Sequence, residues 1–395
     1  MPSSAWRSCA SLLAILAGGA GAAAQRAGPA IAELEAAARA DSNDASNQYL
    51  LALAHWQRRR WDKVDSLLRL SVRLDPRFAE GYLALYFVPF ARRPNLTREE
   101  ARGRVPPEWR GPLEEANRFY QLAFRTNPLV SLRVLGVVYE IEDPSTNPEV
   151  RLTREYQIYY AWFVDLGLGR YGSAYDRLRT LGRIEFGEEK KPHDVPDWLL
   201  WYRGLAAAHS QQYAEATRDF RGLLNRALAD ERNDSLITLR LRTNEFRFML
   251  AALHHVAGQH DSAIALYKES LAEDLGLVTA HTYLAGIYED RQQPDSALLE
   301  RRRAAESNPD DPVALFDYAA SLARVGRLAE AKPFTEQAAQ LNNRFAAPYY
   351  LLARIADAAS QPVEAKAHYQ RFLATAPLRY VTQIEYAKKR LAEIP

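Results

Sequence analysis

An all-α solenoid of paired helices is what this sequence predicts, and three observations predict it. Alanine recurs at Ala263, Ala297, Ala331 and Ala365, at three intervals of 34 residues each. Around those alanines apolar residues stand three and four apart, the spacing that gives a helix one apolar face. Glycine and proline punctuate the frame at fixed places: Gly169, Gly258 and Gly326 where a first helix has to end, and Pro76, Pro128, Pro309 and Pro377 where a second one does. Neither helix of such a pair buries its apolar face alone, so successive pairs have to stack.

Taken in order, the chain opens on a different material. Met1 to Ser8 carries Arg7, Ala10 to Ala17 is a short apolar run, and Ala22-Ala23-Ala24 before Gln25 reads as a cleavage site. Those parts in that order describe a secretory signal peptide over residues 1–24, cleaved after Ala24, and the run is shorter than the roughly 20 residues that span a bilayer. Cys9 lies within it, so the mature chain is expected to hold no thiol. Residues 25–44 are expected to form an N-terminal half-repeat. Ala45 opens the first full unit, with Leu51, Ala52, Val64, Leu68 and Pro76; a second opens at Ala79 with Tyr82 and Leu85.

An insertion over 90–110, rich in proline (Pro94, Pro106, Pro107), interrupts that second unit, which resumes with Ala116, Tyr120, Ala123 and Pro128. A helix carrying Leu135, Gly136 and Tyr139 follows, then a loop at Asp143 to Pro148, then a unit with Gly169, Tyr171, Ala174 and Leu178. The repeats of 45–182 end in a charged linker or hinge at 183–196, where Glu188-Glu189 meets Lys190-Lys191. From Asp197 to Pro377 five units run with few departures. In the unit opening at Val278, Leu284, Ala285, Tyr288, Ala297, Ala304 and Pro309 hold the places that Leu352, Ala353, Ala356, Ala365, Phe372 and Pro377 hold after Ala346. Residues 378–395 place Val381, Ile384, Tyr386, Ala387 and Leu391 on one face and Lys388, Lys389 and Arg390 on the other, as a terminal capping helix does. Small residues at the eighth and twentieth places allow the two helices close approach, and large ones at the fourth, eleventh and twenty-fourth fill the remaining space.

This 34-residue, two-helix frame resembles the tetratricopeptide repeat (TPR) family, strongly from Asp197 to Pro377 and well from Ala45 to Pro76. The resemblance implies a right-handed α-solenoid of about eight to nine units that binds a protein or peptide partner on its inner face, without naming one.

Composition excludes several other functions. With 51 Lys+Arg against 49 Asp+Glu the net charge is +2, so there is no cationic excess for a polyanion and no nucleic-acid partner is expected. One Cys excludes a disulfide framework or a thiolate zinc site. No segment after the leader is apolar enough to insert stably in a membrane. No phosphate-binding, nucleophile-elbow, zinc or dinucleotide frame occurs, so no catalytic residue, cofactor or metal is expected and the chain reads as no enzyme. The histidines His254, His255 and His260 with Asp261 could converge on a metal, but His254 holds the core place of Tyr288 and His260 the packing place of Tyr213. Acidic pairs at Glu188-Glu189, Glu289-Asp290 and Asp310-Asp311 read as solvated, and Arg58 to Arg60 and Arg301 to Arg303 as basic runs cancelled by acidic neighbours.

The chain's 14 Phe, 21 Tyr and 7 Trp give the functional hint. The fifth residue of each unit falls on the inner side of the first helix: Tyr49, Leu83, Tyr159, Trp201, Phe248, Thr282, Phe316 and Tyr350. Neighbouring inner places add Trp56, Phe87, Tyr156, Phe163 and Trp198. Aromatic rings offer much apolar area for little entropy loss, so this row suits an extended or helical peptide; equally, the rings could pack between neighbouring first helices. Family members that clamp a chaperone's C-terminal carboxylate use Lys, Arg and Asn at such places, and aromatics stand here instead. Two alternatives remain beside the peptide scaffold: an enzyme or accessory subunit with a site under the insertion 90–110, and a binder of carbohydrate or envelope polymer through exposed rings.

Overall fold

The computed structural model describes residues 31–96, 99, 103–138, 160–188, 195–231, 243–274 and 277–394, and among them every regular element is a helix. In chain order these are α1 (Ile31–Ala40), α2 (Ala45–Trp56), α3 (Trp61–Leu74), α4 (Ala79–Arg92), α5 (Pro107–Thr126), α6 (Val134–Val138), α7 (Ala161–Gly167), α8 (Tyr171–Glu185), α9 (Asp197–His209) and α10 (Tyr213–Glu231). They continue with α11 (Thr243–Val256), α12 (His260–Glu273), α13 (Val278–Asp290), α14 (Pro294–Ser307), α15 (Pro312–Arg324), α16 (Leu328–Leu341), α17 (Ala346–Ala358), α18 (Pro362–Thr375) and α19 (Val381–Glu393). The leader, the loop 143–148, Tyr156 and Tyr159 lie outside the described residues.

The chain divides into two compact units, one of residues 82–270 and one joining the residues up to Gly81 with those from Leu271 onward. In the first, α6 through α11 pack each against the next; in the second, α1 to α3 and α13 to α19 do the same. The alanine column is buried throughout, Ala263, Ala331 and Ala365 completely and Ala297 nearly so. So is the facing column of Ala52, Ala285, Ala319 and Ala353. Gly204 shows how close the helices come, since a Cβ there would stand 2.8 Å from the Phe220 ring.

Local chemistry starts and stops these helices. Asp44 caps α2, its Oδ1 accepting from the N–H of Ser46 at 2.8 Å and of Asn47 at 3.1 Å, and Asp311 caps α15 through Val313 N at 2.8 Å. Proline opens α14, α15 and α18, where its missing N–H costs nothing. The pair-closing residue is left-handed, as expected for Gly169, Gly258 and Gly326 (φ 74, 72 and 82°), but Arg59, Gln211, Gln292 and Ser360 adopt the same turn at φ 54, 63, 57 and 56°. A side chain there is strained against the following carbonyl. Gln292→Gly is therefore expected to raise stability by about 0.5–1 kcal/mol, the strain relieved exceeding the added chain entropy, read as a higher urea midpoint with an unchanged slope.

Several surface readings change. Glu188 is not a solvated carboxylate: Arg203 of α9 donates to it from Nη1 at 2.6 Å and from Nη2 at 2.7 Å. Asp311 is a helix cap, and Glu289 is half-buried and ion-paired to Arg324 at 3.0 Å. The basic run does find acids, Arg301 at Asp317, Arg302 at Glu306 and Arg303 at Glu300, each within 2.9 Å. The insertion folds onto its own charges, with Arg93 Nη2 donating to Glu99 at 2.9 Å and its guanidinium 6.0 Å over the Trp109 ring. In α19, Ile384, Tyr386 and Leu391 pack on the last pair around buried Ala387, whereas Val381 in the first turn stays 56% exposed. Arg390, read as polar-side, turns inward to grip Asp357 by two bonds of 2.8 and 2.7 Å.

Candidate partner-binding face

The aromatic row divides into a buried part and a part open to solvent. Tyr49, Trp56, Trp201 and Phe248 are buried, at 9, 3, 7 and 1% exposure. The reason is that each is covered by another ring. Tyr49 meets Phe78 edge-on at 5.1 Å, Trp56 meets Trp61 at 5.5 Å, Trp201 meets Phe220 and Phe246 at 6.2 Å each, and Phe248 meets Tyr267 at 5.9 Å and Phe124 at 6.1 Å. Leu83, Phe87 and Phe163 are buried as well. Trp198, Phe316 and Tyr350 are half-exposed. Trp198 stacks on Trp162 at 5.6 Å, Phe316 lies against Phe345 at 5.3 Å, and Tyr350 rests on Phe372 at 5.1 Å and Tyr386 at 6.2 Å. Packing fixes these three rings on one side and leaves the other wet.

The open part is best developed in the second unit, on the first helices of three successive repeats. Thr279, Thr282, Gly286 and Glu289 of α13, Val313, Phe316, Ala320 and Ala323 of α15, and Ala347, Tyr350 and Asp357 of α17 are all half-buried, and Arg354 of α17 is exposed. Spaced by three, four and three residues, they share one face of each helix. Gly286 and Ala320 hold the ninth place, four residues beyond the ring place, and a Cβ built on Gly286 meets nothing within 4 Å, so this face is open at that point. Charge frames it. Glu289 pairs with Arg324 at 3.0 Å, Arg301 with Asp317 at 2.9 Å, and the Arg354 guanidinium lies 4.8 Å over the Tyr386 ring. The Asp357 carboxyl is held below its ordinary range by the hydrogen bonds from Arg390. Such a strip offers two ring faces, a shallow apolar floor and both signs of charge, which suits a peptide side chain by side chain.

His254 is buried with Nδ1 paired to Gln259 Oε1, while His255 and His260 stand edge to face at 5.8 Å. Reading only the fifth place of each unit missed Gly286, Ala320 and Arg354. The ninth place of the same frame gives all three, small in two units and charged in the third.

No protein-family model and no curated protein matches the sequence. Among solved structures, MamA AMB-1 is 21% identical, with 45% of this chain and 91% of that chain covered at a TM-score of 0.35. YrrB, described as a TPR protein with an unusual peptide-binding site, is 16% identical over 52% of this chain and 97% of its own, at 0.38. Yeast Tom70 is 14% identical over 92% of each chain, at 0.42. The pairing of successive helices rests on this chain's own 34-residue frame. Among the described residues no helix is long and apolar enough to cross a membrane.

Proposed function

We propose that this chain is an exported, non-enzymatic scaffold that binds a segment of a partner protein along the open face of α13, α15 and α17. The observation that carries the reading is the set of half-buried residues at the same places of three successive first helices, with Phe316 and Tyr350 at the fifth place and Gly286 and Ala320 at the ninth. Among the described residues of the aromatic row, Trp198, Phe316 and Tyr350 are the rings left half-exposed. Export rests on the leader 1–24, and the inner-face role on the helix-pair frame.

Gly286→Trp tests the binding face without disturbing the core. The new indole projects into open space and replaces a helix-breaking residue, so helicity and urea midpoint are expected to stay within about 0.5 kcal/mol of the parent. Tagged parent and variant are used to capture partners from the native cell envelope, with mass spectrometry as the readout. The parent is expected to begin at Gln25 and to retain a partner that Gly286→Trp loses. A partner retained equally by Gly286→Trp and by Phe316→Ala overturns the assignment of the face.

A further inference from the structure

Two places of the repeat frame meet across the turn inside a helix pair: the twelfth, near the end of the first helix, and the seventeenth, where the second begins. In the unit opening at Ala45 these hold Trp56 and Trp61, whose rings meet edge-on at 5.5 Å. In the unit opening at Asp197 they hold Ala208 and Tyr213. The pair of α11 and α12 has imidazoles at both. His255 lies in the last turn of α11 and His260 is the first residue of α12. Their ring centres are 5.8 Å apart, and a ring nitrogen of one stands within 4.8 Å of a ring nitrogen of the other. Both side chains are half-buried, so the packing place that His260 takes from Tyr213 is one that water reaches.

The turn between them is held by its own bonds. Gly258 takes φ 72° and donates its N–H to the His255 carbonyl at 2.9 Å, and Gln259 N donates to the His254 carbonyl at 2.8 Å. Ala263 N then donates to the Gln259 carbonyl at 3.1 Å, which fixes the first turn of α12. The Gln259 side chain pairs with His254 Nδ1, so that histidine takes a different partner from the other two. His255 is braced from behind, edge-on against Tyr267 at 6.4 Å, and Tyr267 is fully buried. Imidazole nitrogen is the side-chain ligand that suits zinc, nickel and copper, and two imidazoles already placed by a folded turn spare the ion most of the cost of gathering them.

We propose that His255 and His260 together bind a divalent transition-metal ion of this class, which ties α11 to α12, with water in the remaining ligand positions. Each nitrogen lies about 2.0–2.1 Å from a zinc ion, so two on one tetrahedral ion stand roughly 3.3 Å apart. Rotation of the His260 side chain about its own bonds supplies the closure.

The test uses the chain from Gln25 onward, made without a polyhistidine tag and titrated calorimetrically with zinc chloride and with nickel chloride. The parent is expected to bind one equivalent. His255→Ala and His260→Tyr restore the residues of the Ala208 and Tyr213 places, so both should stay folded by circular dichroism, and each is expected to weaken binding about tenfold or more. The double variant is expected to lose it. His368→Gln changes another half-buried histidine, on α18, and is expected to leave the titration as it is. Zinc should also raise the melting midpoint of the parent and leave that of the double variant unmoved, since only the folded pair gathers both ligands. A parent that binds neither ion saturably overturns the proposal. So do folded His255→Ala and His260→Tyr chains that bind as the parent does, or a loss on His368→Gln as large as theirs.

Discussion

Arg203→Ala is expected to destabilise the first unit by about 3–5 kcal/mol, because it strands two carboxylates beside the core. Arg203 is 1% exposed and among the largest fully buried side chains described. Its Nε and Nη2 grip Asp219 at 2.7 and 2.8 Å while Nη1 and Nη2 grip Glu188 at 2.6 and 2.7 Å, so both ends of the guanidinium are used. Gly182 makes room, since a Cβ there would stand 2.6 Å from Glu188 Oε2. Burial disfavours the charge on Arg203, but the hydrogen bonds to Glu188 and Asp219 outweigh it and the group is held more firmly protonated than usual. Glu188 is pushed below its ordinary 4.5, chiefly by the hydrogen bond from Arg203. A carboxylate depressed on folding contributes stability that is present above its unfolded pKa and is lost as pH falls through the folded one. The parent should therefore weaken below about pH 4.5, and Arg203→Ala should start lower and lose less on acidification. Urea titrations at pH 7 and pH 3.5 measure both. A variant within 1 kcal/mol of the parent at pH 7 would show that the cluster is solvated in solution.

Phe248→Ala is expected to cost about 3–5 kcal/mol as well, the range for emptying a buried aromatic site. Phe248 is 1% exposed and wedged between Phe124 and Tyr267. A ligand-lining ring would be removed at little cost to the fold. The outcome thus decides between the two roles that the aromatic row allowed, and Tyr350→Ala in the second unit supplies the contrast. Half-exposed on α17, it should cost less than Phe248→Ala. Denaturant midpoints for both variants, with circular dichroism to establish that they fold, give the comparison.

The fold was legible because its determinants are local and periodic. An alanine where two helices cross, a glycine where the first ends and a proline where the second ends each carry their own physical reason, and the 34-residue interval repeats that reason. Arg59, Gln211, Gln292 and Ser360 escaped notice as turn residues because nothing in their chemistry asks for positive φ; the repeat imposes it. The site was less legible. Fifth-place aromatics share one sequence position but not one environment, since Phe124 and Phe246 from other helices and Phe78 from the turn before α4 cover some of them. The pairing of Glu188 with Arg203, and of Asn43 Nδ2 with the Ala374 carbonyl at 3.1 Å and Asp41 Oδ2 with the Leu378 N–H at 2.7 Å, depends on which distant turns the stack brings together. No window of a single repeat contains that information.

The meeting of those two turns also bears on how the protein is made. Helix pairs bring together neighbours a few tens of residues apart, so each can form soon after it is synthesised. The turn at Asp41 to Asp44 is made among the first of the described residues, yet residues 374–379, which it holds, are made among the last. The contact between them therefore closes only once residues 374–379 have been made.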